Sequence, residues 1–229
     1  MDKVKKREFK PNIYDIFLSV LTSIGMPIIC GKLYNSTGAL IPMLIYYVIF
    51  CWALVKWRKG SLDYRRVKKL FTPLFAVLLF LSFLIILSAK PIMKPSEVFS
   101  VAGFLFTLII WVPVNAFSEQ LSWLYVFDSF SNYSNKKKLK IFLTGTGLFF
   151  YTTLVALIHI FFWAKFLMKL DTVFPYWHLY IALHFLLTIG YILIYRRTGS
   201  MYPVGVIHLI LDASAVIGAK YSIIPYLLK

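Results

Sequence analysis

The chain has 229 residues, of which 60% are hydrophobic and 15% charged, with a mean hydropathy of +0.76 and a formal net charge of +16. A soluble domain of this length is about half apolar and a quarter charged, so that class is excluded. Nucleic-acid binding is excluded too, because the positive charge sits in short stretches between long apolar runs.

A helix needs about 20 apolar residues to cross the hydrocarbon core. Seven runs come close to or exceed this: 13–31, 39–56, 71–89, 99–130, 141–164, 174–195 and 201–218. They predict an all-α polytopic membrane helix bundle of seven or eight helices, with no room for a soluble domain. Residues 1–98 hold the first three spans and 99–229 the polar core. The opening MDKVKKREFK resembles the front of a secretory signal, but no small-residue cleavage site follows, which predicts an uncleaved anchor. Cys30 and Cys51 fall near opposite ends of the first two runs, so no disulfide is expected, and no zinc-type spacing exists. The apolar tail 222–228 is too short to cross alone.

With the N-terminus in the cytoplasm, the cytoplasmic stretches hold 18 of the 25 Lys and Arg residues. That bias obeys the positive-inside rule and predicts a multi-pass protein of a cell membrane. The blocks RKGSLDYRRVKK and NKKKLK then face anionic lipid headgroups. Trp52, Trp57, Trp163 and Trp177 lie near span ends, where aromatic belts form.

The fourth run differs from the rest. Pro113 removes a backbone hydrogen bond and should kink its helix. Asn115, Ser118, Glu119, Gln120 and Ser122 follow within ten residues. Such polar density is costly in lipid and is expected to face the bundle interior or a wet cavity. An intramembrane carboxylate is a functional candidate by default, which directs attention to the histidines. His178 falls at a span edge, whereas His159, His184 and His208 lie within spans. In VGVIHLILDASA, Asp212 follows His208 by four residues, so the two share one helix face. His159 has two open readings, a satisfied interior donor or a functional group; His184 has no polar companion and reads as packing.

Glu119, His159, His208 and Asp212 form a coherent chemical set. A carboxylate and an imidazole can take a proton from water while further donors stabilise the oxyanion at an attacked carbonyl. The same residue types could ligate zinc, but they come from three separate helices without an HExxH pair. No other cofactor is implied.

These residues resemble the motifs of the CPBP family, the CAAX prenyl protease and bacteriocin-processing (Abi) membrane endopeptidases: EExxxR, FxxxH and HxxxN or HxxxD. Here they read EQLSWL at 119–124, VALIH at 155–159 and HLILD at 208–212, with spacings of 40 and 49 residues. The connecting GYILIYRRTGSMYPVGVIH (190–208) is similar to the family's run into its last histidine. The resemblance covers about residues 100–217. It implies an intramembrane glutamate-type endopeptidase without an obligate metal, acting on membrane-associated peptides or proteins in bacteriocin processing or self-immunity, in the bacterial plasma membrane. It further implies that Glu119 and His159 activate the attacking water and that His208 with Asp212 forms the oxyanion site, open toward the cytoplasm. Gln120 and Trp123 fall beside the site as substrate-binding or supporting residues.

Three positions depart from the motifs. Gln120 replaces the second glutamate, Leu124 the arginine and Val155 the phenylalanine. Losing one buried charge of each sign preserves the local balance, whereas losing only one would be strongly destabilising. This paired change keeps a second reading open, a catalytically weakened scaffold that binds a membrane partner. A proton-relay transporter is a third, without the paired half-segments of inverted repeats. Helix geometry sets a further condition: His159, some 19 residues after Lys140, lies level with Glu119 only if its helix begins outside the bilayer, tilts, or bends near Gly145 or Gly147.

Overall fold

The computed structural model describes all residues except 1–8, 68, 97 and 168, so most of the basic N-terminal stretch lies outside the described residues. Among the described residues seven helices form in the expected order: α1 (Ile13–Thr37), α2 (Leu40–Lys59), α3 (Pro73–Ala89), α4 (Val101–Ser131), α5 (Lys137–Phe161), α6 (Tyr176–Thr198) and α7 (Tyr202–Ala219). Six are long and apolar enough to cross a membrane, and α3 is a shorter apolar helix. Among the described residues the one β feature is an isolated bridge between Met93 and Leu170. The chain is therefore an all-α polytopic membrane bundle.

Local sequence sets the helix ends. Asn12 and Asp15 form a reciprocal capping box that starts α1, satisfying otherwise orphaned N–H groups. Gly60 and Gly199 adopt positive φ and close α2 and α6, a conformation that costs glycine little. The break expected at Pro113 takes the form of a π turn over Thr107–Trp111, immediately before it. A wider turn absorbs the missing donor without ending the helix.

The fourth helix is the centre of the bundle. From Asn115 to Ser131 all of its residues except Phe117 are buried, and it packs against α1, α2, α5 and α7. Outward positions such as Phe17, Val77, Ile109, Phe149 and Leu186 are exposed and apolar, a surface suited to lipid rather than water. Both cysteines are free and buried; Cys51 Sγ donates to Ser122 Oγ at 3.4 Å.

One end of the bundle carries a charged clamp. Arg58 pairs with Asp15 at 2.8 Å, and Lys59 and Arg196 both hold Asp128, at 3.1 and 3.0 Å. Tyr195 donates to Asp63 at 2.8 Å. These contacts gather the start of α1 and the ends of α2, α4 and α6, as alternating spans require. At the opposite end the C-terminal tail docks on the start of α2, where Ala39 and Leu40 N–H groups donate to the Tyr226 and Leu227 carbonyls.

The register between α4 and α5 decides the depth of His159. Trp123 meets Tyr151 with ring centroids 6.3 Å apart, and a Cβ on Gly147 would stand 2.9 Å from the Phe127 carbonyl. The two helices are thus antiparallel, and continuing the register brings His159 level with Asn115. Of the three conditions, a bend near Gly145 or Gly147 is not met, because α5 is continuous there. The α5 helix begins about six residues beyond the end of α4, roughly 9 Å at 1.5 Å per residue, and stays α-helical through Gly145 and Gly147.

Candidate functional site

The α4 helix supplies Asn115, Glu119 and Trp123 on neighbouring turns, all buried. Helix α7 approaches closely because Gly205 has no side chain: a Cβ there would lie 2.5 Å from the Phe117 ring. That contact brings His208 and Asp212 onto the same stretch of α4. His208 Nε2 stands 3.2 Å from Asp212 Oδ1 and 4.0 Å from Glu119 Oε2. The first is hydrogen-bond distance at its long limit; the second is beyond it.

A chain of donors fixes the carboxylates. Tyr47 donates to Asn115 Oδ1 at 2.5 Å, and Asn115 Nδ2 donates to Asp212 Oδ2 at 2.8 Å. Trp163 Nε1 donates to Glu119 Oε1 at 2.8 Å. Trp123 lies beneath the His208 ring, centroids 5.7 Å apart, and its Nε1 donates to the Tyr46 hydroxyl at 3.0 Å. Asp212 therefore receives a hydrogen bond on one oxygen and faces imidazole with the other, an acceptor arrangement.

Trp163 corrects the sequence reading. It is 2% exposed rather than part of an interfacial belt, because the chain turns inward after α5 and lodges the indole among Tyr46, Tyr47, Trp111, Phe162 and Phe166. This aromatic packing covers Glu119 on the side away from the charged clamp. Trp57, by contrast, is 70% exposed as a belt residue should be.

His159 stands apart from the cluster. Its Nδ1 lies 2.6 Å from the Val155 carbonyl on its own helix and the ring is exposed. Among the described residues no hydrogen bond joins it to Glu119, His208 or Asp212. His184 behaves likewise: half-buried, with Nδ1 2.9 Å from the Tyr180 carbonyl. Gln120 is fully buried, and neither of its amide atoms has a hydrogen-bond partner among the described residues. Leu124 is buried as well, in line with an apolar residue where the motif has a cation.

One side of the site is covered. There the 60–72 connection folds back, the Tyr64 hydroxyl donates to the Phe117 carbonyl, and Phe117 packs between Tyr64 and Tyr202. The connection is pinned by Met201 N–H to the Asp63 carbonyl and Ser200 Oγ to the Arg65 carbonyl. His208 and Asp212 side chains keep 12% and 16% exposure. Among the described residues no group of three or more His, Cys, Asp or Glu has the geometry to hold a metal ion, so the zinc alternative gains no support from the donor set. No family model, curated protein or solved structure matches the chain.

Proposed function

We propose that the protein is an intramembrane glutamate-type endopeptidase of the CPBP kind, acting on membrane-associated peptides or proteins in a bacterial plasma membrane. One observation carries the reading: two carboxylates from different helices, Glu119 and Asp212, face a single imidazole, His208, inside the bundle. In this mechanism Glu119, with Oε1 held by Trp163, takes a proton from a water through Oε2. The water oxygen attacks the peptide carbonyl carbon, and the resulting oxyanion takes over the His208 Nε2–H that faces Asp212 Oδ1 before substrate enters. Asp212, itself held by Asn115, lies beside the imidazole and balances its charge. Glu119 then returns the proton to the departing amine nitrogen. This assigns Asp212 to positioning, as an acceptor, rather than to direct oxyanion contact. His159, whose ring is exposed, meets the incoming chain. Processing or self-immunity against bacteriocins is the biological setting that the motif resemblance favours.

The test is Glu119→Gln, which keeps an acceptor for Trp163 and removes the base. Membranes from cells carrying wild type and variant are compared by mass spectrometry of their small peptides. Peptides that accumulate uncleaved only in the variant support the reading, and identical profiles end it. The outward ring of His159 and the unpartnered Gln120 favour a second reading, a weakened scaffold for a membrane partner. There, Glu119→Gln leaves the cellular phenotype intact at normal expression.

A further inference from the structure

A second polar feature lies at the charged end, outside the candidate site. Where the chain enters α1, leaves α4 and enters α5, a pocket forms between Lys10, Asn132, Tyr133, Asn135 and Lys140, with Phe9 and Pro11 as its apolar wall. Its cavity of about 180 Å³ exceeds by an order of magnitude the roughly 10–15 Å³ that one water needs. Among the described residues no acidic residue lines it. The nearest carboxylate of α4, Asp128, is already neutralised by Lys59 and Arg196. Among the described residues neither Lys10 nor Lys140 has a carboxylate within 4.0 Å.

The lining presents donors. Arg196 Nη2 donates to Asn132 Oδ1 at 3.3 Å, which occupies the carbonyl of that amide and leaves its NH2 group free to donate. Phe9 is held against Tyr125 with ring centroids 5.9 Å apart. The α5 N-terminus projects beyond α4 at this level, and its cap residue Lys136 supplies no side-chain hydrogen bond, so the positive end of the helix dipole is unneutralised. Depth matters as well: the pocket sits where α4 ends and the lysine-rich start of α5 leaves the bundle, the level of headgroups on a span of this length.

We infer that this pocket binds a phosphate group, with Lys10 and Lys140 supplying charge and Asn132, Asn135 and Tyr133 supplying hydrogen bonds. The shared chemistry is a phosphate oxyanion, from an anionic phospholipid headgroup or free in solution. A headgroup held there ties the N-terminal segment to the α4–α5 connection.

The full-length protein in neutral detergent, where no membrane surface potential exists, is titrated with dioctanoyl phosphatidylglycerol, dioctanoyl phosphatidylcholine and inorganic phosphate, and binding is read by native mass spectrometry. The expected result is saturable binding of one phosphatidylglycerol, weakened about tenfold or more by joint Lys10→Ala and Lys140→Ala, through loss of charge-assisted contacts to the phosphate. Joint Lys137→Ala and Lys138→Ala removes the same charge outside the pocket and leaves affinity unchanged. Tyr133→Phe weakens binding without altering charge. Phosphatidylglycerol bound in preference to inorganic phosphate identifies a lipid site; inorganic phosphate bound as tightly identifies a free-phosphate site. Equal loss from both lysine pairs, or no saturable binding of either ligand, overturns the inference.

Discussion

His208 on α7 stands between Asp212 on its own helix, at 3.2 Å, and Glu119 on α4, at 4.0 Å. Among the described residues the imidazole is the group that stands between these two carboxylates. Removing it leaves both acids facing each other in a medium that solvates neither. Breaking a buried ionic group by deleting one partner costs about 3–5 kcal/mol. His208→Ala is expected to lower stability by that order, and Asp212→Asn combined with His208→Ala to recover part of it. Thermal unfolding in detergent checks both; an additive double variant would show that the two side chains do not interact.

Trp163→Phe separates packing from hydrogen bonding. The aromatic contacts with Phe162 and Phe166 survive in large part, while Glu119 Oε1 loses its 2.8 Å donor. A hydrogen bond to a charged group is worth about 1.5–3 kcal/mol, and the loss falls on the candidate base. The expected outcome is a modest fall in unfolding temperature together with loss of any Glu119-dependent peptide processing. Full processing in a folded Trp163→Phe protein would remove Trp163 from the site.

The Gly205 contact gives a third test. A side chain there meets the Phe117 ring at 2.5 Å, so Gly205→Val forces α7 from α4 or displaces Phe117. Overpacking of this kind typically costs about 1–3 kcal/mol, and any shift of α7 carries His208 from Glu119. Gly145 has open space around its own position, so Gly145→Ala is expected to leave stability unchanged or slightly raised, as better helix propensity predicts. Comparing the two variants by unfolding in detergent separates a packing glycine from a tolerated one.

Much of this arrangement was legible in the sequence, for identifiable reasons. Membrane helices must satisfy their backbone internally, so seven long apolar runs could become little else, and the observed helices match them in order, with ends that differ by up to six residues, at Thr37 of α1. Polar residues in lipid must face inward, which placed Asn115 through Ser122 in the interior before any contact was known. The four-residue step from His208 to Asp212 fixed their shared face. Other features depended on long-range geometry. The inward turn after Phe161 that buries Trp163 has no local signal, because a tryptophan near a span end usually marks an interface. The bridge Tyr47, Asn115, Asp212 joins three helices and could not be read from any one of them. The sideways ring of His159 follows from rotation about α5, which a four-residue motif does not specify.

The charged end makes its own prediction about pH. Burial alone would raise the Asp63 carboxyl, but the Lys59 ammonium at 3.5 Å and the hydrogen bond from Tyr195 outweigh it and hold it below the usual carboxylate value. A carboxyl whose folded value lies below its unfolded value contributes stability that is fully present above the unfolded value, near 3.8. That contribution is lost as pH falls through the lower folded value. Asp63 also anchors the 60–72 connection, since its carbonyl accepts from Met201 N–H. Acidification from pH 5 toward pH 3 should therefore loosen the segment that closes the charged side of the site. The measurement is the difference in unfolding temperature between wild type and Asp63→Asn across that range, with hydrogen exchange of residues 61–67 followed in parallel. The stabilising difference is expected to be constant above about pH 5 and to shrink below pH 4. A difference that grew on acidification would carry the wrong sign and remove Asp63 from the clamp.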